Sequence, residues 1–184
     1  MKVIEIRRHA MRQKPKAHLS LEGIELAKFA SARMGPYDRV ITSRLPRSME
    51  TAVAMGFEGA EHLEELGDIP DDILEKLNWP NTLQAISEII KTNKDCFQFA
   101  RRQAKIWLNC IKDLPEESRI LIISHGGIME LGVMGSICLD GSSVTIDAFG
   151  YCEGIRLEYE SEKYVNFNPQ LMPEERRLIN STQD

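Results

Sequence analysis

The 184-residue chain predicts an α/β sandwich, helices on both faces of a mostly parallel central sheet, and three observations predict it. Runs with strand character alternate with segments of helical spacing, the pattern of β-α-β units. The most apolar run, "RILIIS", is continuous rather than alternating, as expected of a strand covered on both sides. Three charged clusters follow three of the predicted strands, and ligands in such sheets gather beyond the carboxyl ends of strands.

In chain order, "VIEIRR" (Val3–Arg8) has period two and opens the sheet. "LSLEGIELAKFASARMG" follows as a helix, with Ser20 as N-cap, Glu22 and Glu25 in or near the first turn, and Gly35-Pro36 as the stop. "DRVITS" is β-branched and short, a second strand. "SMETAVAMGF" is helical, with Gly56 as terminator. From Glu58 to Pro80 the chain is acidic, broken by Gly and Pro, and predicts a loop with at most a short strand or turn. "NTLQAISEIIKTN" and "CFQFARRQAKIWLNCIKDL" carry i, i+3/i+4 apolar spacing and predict helices. "SRILIISHGG" is a buried strand closed by Gly-Gly, and "IMELGVMGSIC" a helix starting at that turn. "SVTIDAFG" and "GIRLEYE" read as late strands. The domain is expected over 1–168, with 169–184 a polar, frayed tail.

The composition, 42% hydrophobic and 28% charged, is that of a globular protein, and a net charge of -5 argues against a nucleic-acid or anionic-membrane partner. Cys96, Cys110, Cys138 and Cys152 are widely spaced, without a Cys-x-x-Cys pair, so reduced thiols and no zinc site are expected. No run reaches the roughly 18 apolar residues of a membrane helix, and no apolar signal segment precedes the first strand; the expectation is a cytoplasmic protein.

The three clusters are Arg8-His9; "TSRLPRS" with Ser43, Arg44 and Arg47; and "SHGG", Ser124–Gly127. If their strands are neighbours, two histidines and several guanidiniums share one crevice. Guanidinium grips tetrahedral oxyanions through paired hydrogen bonds. Positive neighbours keep an imidazole neutral, hence nucleophilic near pH 7. A neutral His9 can attack phosphorus while the arginines neutralise the equatorial oxygens. His125 would add a donor, and Gly126-Gly127 would let the chain and a helix N-terminus approach the anion. The scheme requires neither metal nor cofactor. A leaving alkoxide needs a general acid, and Glu61, Glu64, Glu65 and Asp68 are all candidates. Arg7 alternates away and predicts a surface charge.

These motifs resemble the histidine phosphatase superfamily, the phosphoglycerate mutase-like fold. Its Arg-His-Gly opening is similar to Arg8-His9-Ala10. Its second motif resembles "SRLPRSMETA", and "IISHGG" matches its second histidine turn. "HLSLEGIELA" resembles its first helix. The resemblance implies His9 as phosphorylated nucleophile, Arg8 and Arg47 as phosphate clamps, and His125 as the second pocket histidine. It points to Glu65 as proton donor, with Glu64 the near miss, and to Arg12 as an extra phosphate-facing group. Ala10 in place of glycine looks like the short phosphohistidine-phosphatase branch, and Arg44 stands where proline is usual. The expected activity is hydrolysis of phosphomonoesters, phosphohistidine or phosphoprotein. The alternatives are a phosphomutase of the same family and a weakly active phosphate-binding regulatory module.

Overall fold

The computed structural model describes residues 1–137, 146–160 and 163–179. Its strands are β1 (Lys2–Arg8), β2 (Arg39–Thr42), β3 (Glu61–His62), β4 (Arg119–Ser124), β5 (Gly154–Glu160) and β6 (Lys163–Gln170). Its helices are α1 (Leu21–Ser31), α2 (Pro46–Ala54), α3 (Asp71–Leu77), α4 (Leu83–Thr92), α5 (Lys94–Ile111) and α6 (Ile128–Ser136). The sheet order is β3-β2-β4-β1-β5-β6. The first four strands in that order are parallel, and β5 and β6 add on antiparallel beyond β1.

The β4 strand lies between β1 and β2, and its Ile120, Leu121, Ile122 and Ile123 are all fully buried. Alternate side chains enter two separate cores. Ile120 and Ile122 join the core with α3 to α6, while Leu121 and Ile123 join the core with α1 and α2. Burying each such side chain contributes about 1.5–3 kcal/mol, so a two-faced strand anchors both layers. Helices α5 and α6 pack closely because small residues line their seam: a Cβ on Gly135 would lie 2.2 Å from the Ala100 carbonyl oxygen, and one on Gly132 2.2 Å from the Trp107 ring.

Helix α1 starts where expected, Ser20 accepting the Gly23 N–H at 3.1 Å, but ends at Ser31, before Gly35-Pro36. The acidic stretch is more ordered than its sequence predicts. It contains β3, a 3-10 turn at Glu64–Leu66 and α3, a helix of seven residues that buries Ile73 and Leu77. Two buried positions one turn apart are too short a pattern to stand out from a loop. Of "SVTIDAFG", Ile146–Gly150 form no strand, and the remaining residues, like Cys138, lie outside the described residues. The tail expectation changes too. β6 runs to Gln170, past the boundary at 168, and Met172 is buried. The buried Glu153 carboxylate accepts the Met172 N–H at 3.0 Å and Arg177 Nε at 3.0 Å, which holds the tail down. Arg7 is not a surface charge either: it is 6% exposed and paired with the buried Glu5 at 2.6 Å. Cys96, Cys110 and Cys152 are buried free thiols. Among the described residues no helix is long and apolar enough to cross a membrane.

Candidate active site

Register brings the charged clusters together. Arg8 at the end of β1 pairs with Ser124 at the end of β4, and Thr42 at the end of β2 pairs with Ile123. The residues that follow therefore leave the sheet side by side: His9, Ser43 and His125. Their backbones stay tied to it, His9 N–H donating to Ser124 O at 3.0 Å and Ser43 N–H to Ile123 O at 3.2 Å. The two imidazole centroids are 4.9 Å apart, and both histidines are buried.

A hydrogen bond fixes the tautomer of His9, and two hydroxyls hold His125. His9 Nδ1 lies 2.6 Å from the Ala10 carbonyl, which can only accept, so Nδ1 carries the proton. Its Nε2 accepts from Arg47 Nε at 3.1 Å and presents a lone pair. The Ser43 hydroxyl oxygen accepts the Leu45 N–H at 3.3 Å and lies 2.7 Å from His125 Nε2. Ser48 Oγ lies 3.1 Å from the same nitrogen. His125 Nε2 is thus held by two hydroxyls, and Nδ1 is buried without a hydrogen-bond partner among the described residues. Burial, then His125 and Arg8, hold the His9 pKa well below the usual histidine range; burial, then Arg47 and Arg8, do the same for His125.

Arg8 is stacked between two aromatic rings, its guanidinium carbon 4.1 Å from the Tyr151 centroid and 4.7 Å from that of Trp79. Its Nη1 donates to Phe149 O at 3.0 Å and to the Ile179 carbonyl. Arg47, the second residue of α2, is half-buried, and burial, then Arg12 and Arg8, lower its pKa to about 10. Arg12 is half-buried, and its backbone bridges to Leu19. Arg44 is separate: it is exposed and pairs with Glu64 at 3.7 Å, a contact worth ~0–1 kcal/mol.

Glu65 is exposed, and among the described residues its carboxylate makes no hydrogen bond or ion pair; its charge is felt at Cys110 on α5. Leu66 buries the turn, and Gln103 Nε2 holds the Glu65 carbonyl at 2.9 Å. Gly126 serves packing: a Cβ there would sit 2.2 Å from the Trp79 ring. One N–H of the glycine turn is also taken, since Gly127 donates to Glu130 Oε2 at 2.7 Å.

Glu130 is a buried carboxylate beside the site that the motifs do not reveal. Fully buried at the third position of α6, it accepts the Gly127 N–H with one oxygen and the Phe149 N–H, at 3.1 Å, with the other. One carboxylate thereby ties the turn after His125 to the loop whose carbonyl holds Arg8. Burial raises its pKa, against backbone N–H groups and Arg8. Ser48 was also missed. Its only sequence signal is a hydroxyl one residue after Arg47 on a predicted helix. His18 and His62 are exposed, bonded to Glu50 and, at 2.8 Å, to Thr42.

The chain was compared with known proteins. No curated protein sequence matches. Among solved structures it is similar to a phosphoserine phosphatase of Entamoeba histolytica in complex with 3-phosphoglyceric acid, with a TM-score of 0.66 and 17% identity over 91% of this chain and 97% of that one. A mycobacterial glucosyl-3-phosphoglycerate phosphatase aligns with a TM-score of 0.64 and 13% identity over 94% and 100%. A phosphoglycerate mutase of Bacillus anthracis aligns at 0.59 and 15% over 89% and 90%. The family model of the histidine phosphatase superfamily (branch 1) matches residues 5–166. Two imidazoles ordered by register at the ends of β1 and β4, on a fold shared with these enzymes, and a motif match across most of the sequence lead to one assignment: the chain belongs to branch 1 of the histidine phosphatase superfamily.

Proposed function

We propose that the protein is a phosphatase that works through a phosphohistidine on His9. The observation that carries this reading is the oriented lone pair: Nδ1–H is committed to the Ala10 carbonyl, and Nε2 faces Arg47. In the first step Nε2 attacks phosphorus, an N–P bond forms, and the P–O bond breaks with its electron pair on the leaving group. The Ala10 carbonyl stabilises the positive charge that the ring gains. Arg47 and Arg12, with His125, neutralise the non-bridging oxygens, and Arg8 sets the field from its aromatic stack. In the second step water attacks phosphorus, the N–P bond breaks, and phosphate leaves with His9 neutral again.

Glu65, on the turn beside Ser43, is the proposed proton donor, exposed and without a hydrogen bond to either histidine among the described residues, and this shapes the expected substrates. Good leaving groups need little protonation as they depart, whereas alkoxides need a proton donor. Aryl phosphates should therefore turn over much faster than alkyl phosphates. The same observation favours a second reading of the physiological substrate, a phosphohistidine on a protein. Its imidazole leaves as a neutral ring once the far nitrogen takes a proton from water near pH 7. The test is turnover of an aryl phosphate, an alkyl phosphate and a phosphohistidine peptide without added metal, by the wild type and His9→Ala. The reading predicts activity on the first and third, with a loss of ~10³-fold or more in the variant, since nucleophile and charge stabilisation fail together. Undiminished turnover by His9→Ala would refute it.

A further inference from the structure

A cavity of about 260 Å³ lies on the opposite face of β1 from Arg8, between α1 and the end of β6, lined by Arg7, Phe29, Arg33, Gln170 and Met172. Its floor is positively charged. Arg7 donates through Nε to Glu5 at 2.7 Å and through Nη1 to the Cys152 and Gln170 carbonyls, each at 3.1 Å. The other Glu5 oxygen accepts Arg156 Nη2 at 2.9 Å. One buried carboxylate thus serves two guanidiniums, and the triad keeps a net positive charge.

The rim adds two more cations around an aromatic ring. The guanidinium carbon of Arg33 lies 5.8 Å from the Phe29 centroid, and that of Arg176 lies 4.1 Å away. Both arginines are exposed, and neither pairs with a carboxylate among the described residues. The neighbouring Arg177 differs in this respect, paired with Glu153 at 3.0 Å and Asp147 at 3.3 Å. An aromatic face with unpaired guanidiniums about it, over a cavity whose floor is positive, matches a ligand with an anionic head and an apolar, planar body. Guanidinium forks would take the head, and Phe29 and Met172 the body.

We propose that this cavity is a second anion site, for a small organic phosphoryl or carboxylate compound, separate from the histidine pocket and independent of its chemistry. Phenylphosphonate is the probe, since its carbon–phosphorus bond resists hydrolysis. Titrated into the wild type and followed by backbone amide NMR, it should perturb two groups of signals, one around His9 and His125 and one around Phe29, Arg33 and Gln170. Arg47→Ala should weaken the first group and leave the second. In Arg33→Glu with Arg176→Glu, two exposed positions, the second group should weaken by ~10-fold or more while aryl phosphatase activity is kept. The proposal is overturned if no signal near Phe29 moves at millimolar probe, if those signals respond equally in the charge-reversed variant, or if neutral benzyl alcohol moves them as well.

Discussion

His9 and His125 sit 4.9 Å apart with Arg8 and Arg47 acting on both, and burial with those charges holds both imidazole pKa values well below the usual histidine range. A carbonyl fixes the proton of His9 on Nδ1, and two serine hydroxyls hold His125 Nε2. Histidine, arginine and the motif spacing were legible in the sequence because they are chemically unusual at strand ends. Ser48 and Glu130 were not, since each depends on a partner distant in the chain. Glu130 gives the sharpest test at this scale. Glu130→Gln puts an amide where two N–H groups need acceptors, leaving one donor unsatisfied at a cost of about 1–3 kcal/mol. Because that carboxylate holds both the His125 turn and the loop behind Arg8, steady-state kinetics of folded Glu130→Gln should show KM raised several-fold, with kcat less affected. Unchanged KM would show that the buried carboxylate does not position the site.

At the scale of elements, the site is made by register. Arg8 opposite Ser124 and Thr42 opposite Ile123 align three strand ends, so that three separate sequence clusters become one pocket. The strands and long helices were legible because their periodicity is local. α3 and the tail were not, because α3 is short and the tail is held by Glu153, 24 residues from Arg177. The acidic turn lies beside Ser43, with Gly67 against that side chain, a neighbour that no local pattern in the sequence reveals. The α5–α6 seam offers a prediction away from the chemistry. Gly135→Ala drives a methyl to within 2.2 Å of the Ala100 carbonyl oxygen and requires the helices to separate. Overpacking of this kind costs about 1–3 kcal/mol. Denaturant unfolding should show that loss, with kcat retained in the folded fraction; unaltered stability would mean that the seam yields freely.

For the whole molecule, the two buried neutral histidines tie stability to pH. Their folded pKa values are depressed, so the unfolded chain binds more protons once pH falls below about 6.5, the ordinary histidine value. Stability should therefore decline as pH falls through that region, by up to about 1.4 kcal/mol per pH unit for each histidine. Glu130 acts in the opposite sense, its raised pKa favouring the folded state as pH falls toward its ordinary value. The comparison that isolates the histidines is wild type against His9→Asn with His125→Asn, in which Glu130 is common to both. Unfolding between pH 7 and 5 should show a shallower decline in the double variant; equal slopes would mean that the imidazoles are not buried neutral. The molecule also closes on itself at this scale, the Leu178 and Ile179 carbonyls accepting from Tyr151 N–H and Arg8 beside the pocket.

The central claim is the covalent one, and rapid quench tests it directly. Mixing the protein with an aryl phosphate, quenching in base and mapping phosphate by mass spectrometry should find an acid-labile phosphoryl group on the peptide that carries His9, formed and lost at rates compatible with turnover. Turnover with no phosphoryl group trapped, or with the group on His125 or any other residue, would contradict the account.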